Sequence, residues 1–589
     1  LLAGVLAGSA AAQGQAQTPT QTGDQAQAQP ATAAAAAPVM TVNQAIDRII
    51  AREHDEIATI RHYSPIIETY VQDMKPDQEM GTLPVRDYYF LGQADLAKGV
   101  VDNSMLNHGP KNRLDELNPL YHLSTLFKSD FVPEGFLQMV YLDTNGFDRQ
   151  HYQFEYVRSE FLGDVKCYVF DVTPLPKTGR GRFKGRIWAE NQGFTIVRFN
   201  GVYTPLGGIN GYNLHFDSWR LNLQPGLWLP AYVFCQESDQ RDLILGGHVH
   251  FKAQTRLWGY DLKNVAHETE FSELTIESPN AVQDQAAAQQ QDASPVTAER
   301  EWQHQAEMNV LDRLQRVGLL APPGEIDKLL ETVENNLEVA NNLDIEPQVH
   351  CRVLLTGTLE SFSIGHTIVM SRGLIDVLPD EASLATMIAQ ELADLMITRP
   401  ATDQYAFNDT TNVSALEVLS RFSFRDTPEQ VQKANEKAMQ LLKNSIYKDK
   451  LASAGLFLKQ LDADSHSLTA LISPRLGNSV YLGEQLISSS PQLQPAKLDQ
   501  IAALPIGARV KLDPWSDRAE LLKAKPVPLY SAREKMPFEV TPFWPYLTRY
   551  QKGGAGVSAA AVQPDVAKQQ QAQPQQPQQP QQPQQPPRH

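Results

Sequence analysis

Cysteine is scarce: Cys167, Cys235 and Cys351 are the only three in 589 residues, too few for a disulfide-built scaffold. In an oxidising compartment Cys167 and Cys235, which fall in one folded part, have the option of pairing and leaving Cys351 free; the alternative is three buried thiols on strands. Positive charge is also short. Fifty-one Lys and Arg against 68 Asp and Glu leave a formal net charge of −17, which argues against a nucleic-acid binder, whose first requirement is a basic patch. Long apolar runs are missing as well, since no segment reaches the roughly 20 apolar residues that span a bilayer. The longest such run, LLAGVLAGSAAA, opens the sequence and closes on Ala10-Ala11-Ala12 before Gln13. It reads as the h-region and A-x-A cleavage site of a secretory signal peptide, with no lipobox cysteine after it. The expectation is export to the periplasm or cell envelope, with no transmembrane segment in the mature chain.

What is present is globular: 42% hydrophobic and 20% charged residues in a chain too long for one core. Low-complexity stretches mark the seams. Residues 1–12 are the signal-peptide remnant; 13–40, rich in Ala, Gln and Thr, 277–298 and the Gln/Pro-rich tail 551–589 are expected to be disordered, because such compositions bury too little apolar surface to offset ordering entropy. Two folded parts remain, 41–276 and 299–550. With almost no apolar residue in 277–298 to bridge them, they are expected to fold independently.

The first part opens with an amphipathic stretch, Val42 to Glu53, and then turns strongly β. Alternation at Tyr152, Phe154 and Tyr156, at Tyr168, Phe170 and Val172, and through GFTIVRF, broken by DTNG, LGD, TGRG and ENQG turns, predicts consecutive antiparallel hairpins. In GGHVHFK, His248 and His250 share a strand face; two histidines are either half of a metal site or solvent-facing side chains. The second part is read as mainly helical with a small sheet. Thr427-Pro428-Glu429-Gln430 is an N-cap, a proline at N1 and a capping-box glutamine, predicting a helix from Pro428 to about Asn444. Another is expected over Leu451 to Leu461.

The chemistry-bearing stretch is Asp380 to Ile397, DEASLATMIAQELADLMI. An HExxH helix presents two histidines one turn apart to Zn²⁺, with the glutamate as general base. Here the five positions are Gln390-Glu391-Leu392-Ala393-Asp394: the glutamate is kept and both histidines are replaced. Its context, LESFSIGHTIVMSRGLIDVLPDEASLATMIAQELADLMI, resembles metallopeptidase family 48, the HtpX, Oma and CAAX-protease kind. Ser361-Phe362, Ser371-Arg372-Gly373-Leu374, Asp380-Glu381 and Glu391 fall in that register, while Glu360 stands where the family has Asn. The resemblance implies a zincin-like domain with a third ligand on the following helix; placing Ala438 on the motif alanine puts Asn435 at that position and Met439 where an Asp belongs. All three ligand positions, Gln390, Asp394 and Asn435, are thus substituted, and Glu391 alone holds its catalytic place as the base. His350, His366 and His466 lie in the same part, either to supply another ligand or as ordinary histidines. No metal or other cofactor is expected, zinc being required only if the site works as a peptidase.

The pair RFKGRIWAENQGFTIVRFNG and the later LWLPAYVFCQE resemble the LolA-like, outer-membrane lipoprotein-sorting family, which implies a twisted β half-barrel around a helix with an apolar cavity for an acyl chain. A lipocalin-like or purely structural sheet is the other reading. The expected fold is therefore multi-domain α+β: an antiparallel half-barrel with a helix, then a mainly α zincin-like domain with a small β-sheet. The leading expectation for function is non-catalytic binding of polypeptide or lipidated protein in the envelope. A working zinc metalloendopeptidase and a lipid or lipoprotein carrier are the alternatives.

Overall fold

The computed structural model describes residues 40–77, 81–102, 133–179, 181–204, 214–241, 248–260, 262, 295–397, 419, 422–480, 484–494, 496–505, 510–513, 518–521 and 539–550. The expected signal peptide, the tail and all but the end of the middle linker lie outside the described residues. That end differs from expectation: Pro295 to Ala298 already belong to a helix, for which proline at the first position is well suited.

Helix α1, Val42–Ile60, starts where its cap dictates. Thr41 Oγ1 accepts the Gln44 N–H at 3.3 Å and Gln44 Oε1 accepts the Thr41 N–H at 2.9 Å. Ala45, Ile46, Ile49, Ile57 and Ile60 form its buried stripe. Ten strands follow: β1 Ile66–Asp77, β2 Gly81–Asp95, β3 Gly99–Asp102, β4 Tyr152–Leu162, β5 Val165–Pro174, β6 Phe183–Glu190, β7 Ile196–Tyr203, β8 His215–Gln224, β9 Leu227–Arg241 and β10 His248–Trp258, with a short helix α2, Pro133–Gln138, before β4. They form one sheet in the order β3-β2-β1-β10-β9-β8-β7-β6-β5-β4, antiparallel throughout and open at β3 and β4. The architecture is mixed α+β on a large antiparallel sheet, as the alternation predicted, and the sheet does not close into a barrel.

The second part supplies α3 Pro295–Arg316, α4 Glu325–Asn341, β11 His350–Leu354, β12 Glu360–Ile364, β13 Thr367–Ser371, α5 Arg372–Val377, α6 Glu381–Ile397, α7 Pro428–Lys443, α8 Leu451–Asp464, the short α9 Thr469–Ile472 and β14 Asn478–Ser479. The small sheet runs β11-β13-β12-β14, with β11 parallel to β13 and the other pairs antiparallel. Thr427 and Gln430 form the expected capping box of α7.

The two faces of the large sheet have different covers. On one, Ile46, Ile49, Ile57 and Ile60 of α1 pack with Phe136, Val140, Phe147, Phe183, Phe199, Phe216 and Val233. On the other, Ile66, Tyr70, Trp188, Trp219, Tyr232 and Trp258 are continuous with Leu311, Leu314, Leu330, Phe362 and Ile388 of the second part. Polar contacts cross the same boundary. Glu68 of β1 takes the Arg372 guanidinium at 2.9 Å and the Gly357 N–H. Asp87 of β2 accepts the N–H groups of Ala470 and Leu471, both at 2.8 Å, at the start of α9, and the Trp258 indole N–H donates to Gly318 O at 2.9 Å. Independent folding is therefore not what this packing supports, because separating the parts would strip one face of the sheet and strand buried carboxylates. Urea unfolding followed in parallel by tryptophan fluorescence and far-UV circular dichroism is expected to give one coincident transition; two resolved transitions would show the parts to be separable.

All three cysteines are buried thiols, none of them in a disulfide. Cys167 and Cys235 belong to the cores on opposite faces of the sheet, on β5 and β9, four strand spacings or roughly 19 Å apart. A disulfide needs Cα atoms within about 7 Å, so the pairing option is closed. Burial pushes the Cys167 thiol up to about 12, which makes it inert as a nucleophile.

Candidate functional site

Glu360 and the run Ser371-Arg372-Gly373 are joints. Ser371 caps α5, accepting the Leu374 N–H at 3.1 Å and donating to Thr358 O at 2.6 Å. Arg372 is buried and divides its guanidinium among Leu355 O, Asp376 and Glu68. Gly373 must be glycine, since a Cβ there would collide with the Gly357 carbonyl. This Ser-Arg-Gly run thus ties the small sheet, α5 and the large sheet together. Glu360 is a clasp of the same kind: Oε2 accepts the N–H groups of Arg475, Leu476 and Gly477 at 2.9, 2.8 and 3.1 Å, and Oε1 accepts the Thr358 hydroxyl at 2.7 Å.

Helix α6 begins at a capping aspartate, Asp380, whose Oδ1 accepts the Ser383 N–H at 2.8 Å. The helix is buried from Ala382 to Asp394, enclosed by α4, α7, α8 and strand β12. Gln390, Glu391 and Asp394 are thereby taken out of solvent, with Glu391 only 1% exposed. The Glu391 Oε1 accepts the Ser361 hydroxyl of β12 at 2.6 Å, and Oε2 is buried with no hydrogen-bonding protein group. Burial pushes this carboxyl up to about 8, the negative fields of Asp394 and Asp426 add to the rise, and the Ser361 hydrogen bond opposes it. Glu391 is therefore mostly neutral at pH 7.

One turn on, Asp394 accepts the Ser363 hydroxyl at 3.2 Å and lies beside the Asp426 carboxyl. Burial and the Asp394 charge push Asp426 up, while the Asn478 side-chain amide, donating at 2.6 Å, pulls it back. Asn435 lies on α7, which packs on α6, and its side-chain oxygen is buried without a hydrogen-bond partner.

The other sequence candidates are not drawn to this place. His350 is beside Glu331 at 3.3 Å, His366 beside Glu307 at 3.5 Å and His466 beside the Ser465 hydroxyl at 3.3 Å. His248 and His250 lie in β10, and their side chains fall outside what is described. Among the described residues no group of three or more His, Cys, Asp or Glu side chains is arranged to hold a metal ion. A zinc seat needs three or four N, S or O donors in near-tetrahedral geometry, whereas Asp394 is committed to Ser363 and Asp426.

Sequence reasoning missed Ser361, Ser363, Asp426 and Asn478 as members of this cluster. The serines had a readable signal, since Ser361 and Ser363 alternate in ESFSI and so share one strand face. Asp426 and Asn478 had none, being brought in from 32 and 84 residues beyond Asp394.

No family model matches the chain, and no curated protein matches it. Among solved structures it is similar to a LolA superfamily protein from Nitrosomonas europaea, at 12% identity and a TM-score of 0.19, over 36% of this chain and 92% of that one. It is also similar to a DUF1329 family protein from Desulfovibrio piger, at 11% identity and a TM-score of 0.18, over 38% of this chain and 97% of that one. No helix among the described residues is long and apolar enough to cross a membrane.

Proposed function

We propose that this chain is a cell-envelope protein that binds polypeptide or lipidated protein without cleaving it, its peptidase-like half serving as a scaffold. The observation that carries this reading is the burial of Glu391 against the Ser361 hydroxyl. A general base must be ionised and must reach a water molecule beside the scissile bond. Glu391 is buried, takes the Ser361 hydroxyl and is held neutral to about 8. Asp394 accepts the Ser363 hydroxyl and lies beside Asp426, and Asn435 is an amide, a poor ligand for zinc.

Purified full-length protein is expected to hold no stoichiometric zinc and to leave casein intact, with or without added zinc, and Glu391→Gln is expected to behave identically. Both proteins should bind fluorescently labelled, carboxymethylated α-lactalbumin saturably, as an unfolded polypeptide. Casein cleavage that a chelator and Glu391→Gln both abolish would instead identify a working metallopeptidase.

A further inference from the structure

The face of the large sheet that packs on the second part extends beyond it, and there, among the described residues, it is covered by residues 539–550, EVTPFWPYLTRY, a segment with no regular secondary structure. Its first anchor is Glu539, paired with Lys252 of β10, next to the Val540 N–H donated to Gln72 Oε1 at 2.7 Å. Its far end is Leu547, whose carbonyl accepts the Asp164 N–H at 2.8 Å in the β4–β5 turn. From β10 to β5 is five strand spacings, roughly 24 Å, and eight residues cover that distance only when nearly extended.

The segment adds no strand to the ladder; it is read by side chains. The Tyr232 hydroxyl accepts the Phe543 N–H at 3.1 Å and meets the Phe543 ring edge-on, centroids 5.8 Å apart. Asn222 Oδ1 accepts the Tyr550 N–H at 2.7 Å. Arg198, held by Asp217 and stacked between Trp188 and Trp219 at 4.3 and 4.5 Å, also faces the Trp544 ring at 5.8 Å. Pro542, Pro545 and Leu547 are buried, while Trp544, Tyr546 and Tyr550 are exposed. Prolines three apart share one face of a left-handed three-residue helix, the form in which aromatic-lined surfaces take proline-rich peptides. The ends carry opposite charges, each met by its complement: Glu539 by Lys252, and Arg549 by Glu190 at 2.6 Å.

We propose that this aromatic face is the polypeptide-binding surface, that its ligand class is an extended segment with prolines three apart between an acidic and a basic end, and that residues 539–550 are its resident occupant. This deepens the non-catalytic binding reading and rests on it. A tethered occupant competes at an effective concentration in the millimolar range, so foreign segments enter only when the strap lifts.

The test uses full-length protein and a labelled synthetic peptide of sequence EVTPFWPYLTRY. Pro542→Asp with Leu547→Asp loosens the strap and leaves the face untouched; this variant is expected to bind the peptide at least about tenfold tighter than the unmodified chain does. A peptide with both prolines replaced by alanine should lose that gain. Equal binding by the two proteins, or none by a variant that keeps its cooperative unfolding transition, overturns the proposal. Should the variant fail to fold, hydrogen exchange of the unmodified protein decides. Strap amides are expected to exchange on the order of 100-fold faster than those of β8 and β9, by local opening, and exchange only at the rate of global unfolding overturns the proposal. Binding of α-lactalbumin that is indifferent to strap loosening places the ligand elsewhere and leaves the non-catalytic reading standing, whereas loss of both kinds of binding removes the two together.

Discussion

Replacing Arg220 with methionine is expected to lower the unfolding free energy by about 3–5 kcal/mol, the range for breaking a buried ion pair by removing one partner. Arg220 lies on β8 and is fully enclosed beneath α1. Its NH1 and NH2 groups each donate at 2.7 Å to the Glu53 carboxylate, and both side chains are 0% exposed. NH1 also donates to Ile196 O at 3.1 Å. Without the guanidinium, Glu53 is left as an uncompensated buried charge. Glu56, which burial already pushes up to about 7 against the pull of Arg220 and Arg52, loses its larger stabilising field. The paired replacement Glu53→Leu with Arg220→Met should recover most of the loss, because apolar groups of similar volume replace a buried pair at little cost. Urea denaturation at pH 7 measures both, and a loss under about 1 kcal/mol in the single variant would show that α1 is not pinned to the sheet by this pair.

Glu391→Gln is expected to stabilise the protein at alkaline pH. A carboxyl raised in the folded state binds more protons folded than unfolded between its ordinary value of 4.5 and about 8. Unfolding free energy therefore falls as pH rises through that window, and the stabilising contribution of the neutral form is complete only below it. Glutamine keeps the volume and a hydrogen-bond partner for Ser361 but carries no charge. Relative to wild type, the variant should gain about 4 kcal/mol between pH 5 and pH 9, each unit of the shift crossed in that window being worth roughly 1.4 kcal/mol. The comparison has to be made between the two proteins, because Glu56 also titrates in this window, raised by burial to about 7. Parallel pH profiles for the two proteins would mean that Glu391 is ionised in the folded chain and that the case against its acting as a base fails.

Much of the local structure was legible in the sequence. Thr427 with Gln430 announced a helix start, because a capping box is settled by four neighbouring residues; Thr41 and Gln44 form the same box at α1, a signal that the sequence reading passed over. The strands of 152–203 followed from period-2 alternation and glycine turns, since the pleat imposes that period wherever one face is buried. The absence of histidine at positions 390 and 394, where Gln390 and Asp394 stand, is likewise a fact of sequence.

The sequence did not reveal what those residues meet. The raised carboxyl of Glu391 depends on burial by helices whose contacts leave no local trace, and the Ser361 hydroxyl that opposes the rise comes from 30 residues away. The raised carboxyl of Asp426 depends on burial and on Asp394, 32 residues back in the chain, with the Asn478 amide that β14 brings alongside opposing the rise. The low-complexity linker suggested two independent bodies, yet Glu68 and Arg372, 304 residues apart, form a buried pair across the boundary. Cys167 and Cys235 looked free to pair until strand order and sheet face put them apart. Caps, turns and alternation are fixed by neighbours in the chain. Burial, and with it charge state and partner choice, is fixed by which surfaces exclude water from one another, and only the tertiary structure decided that.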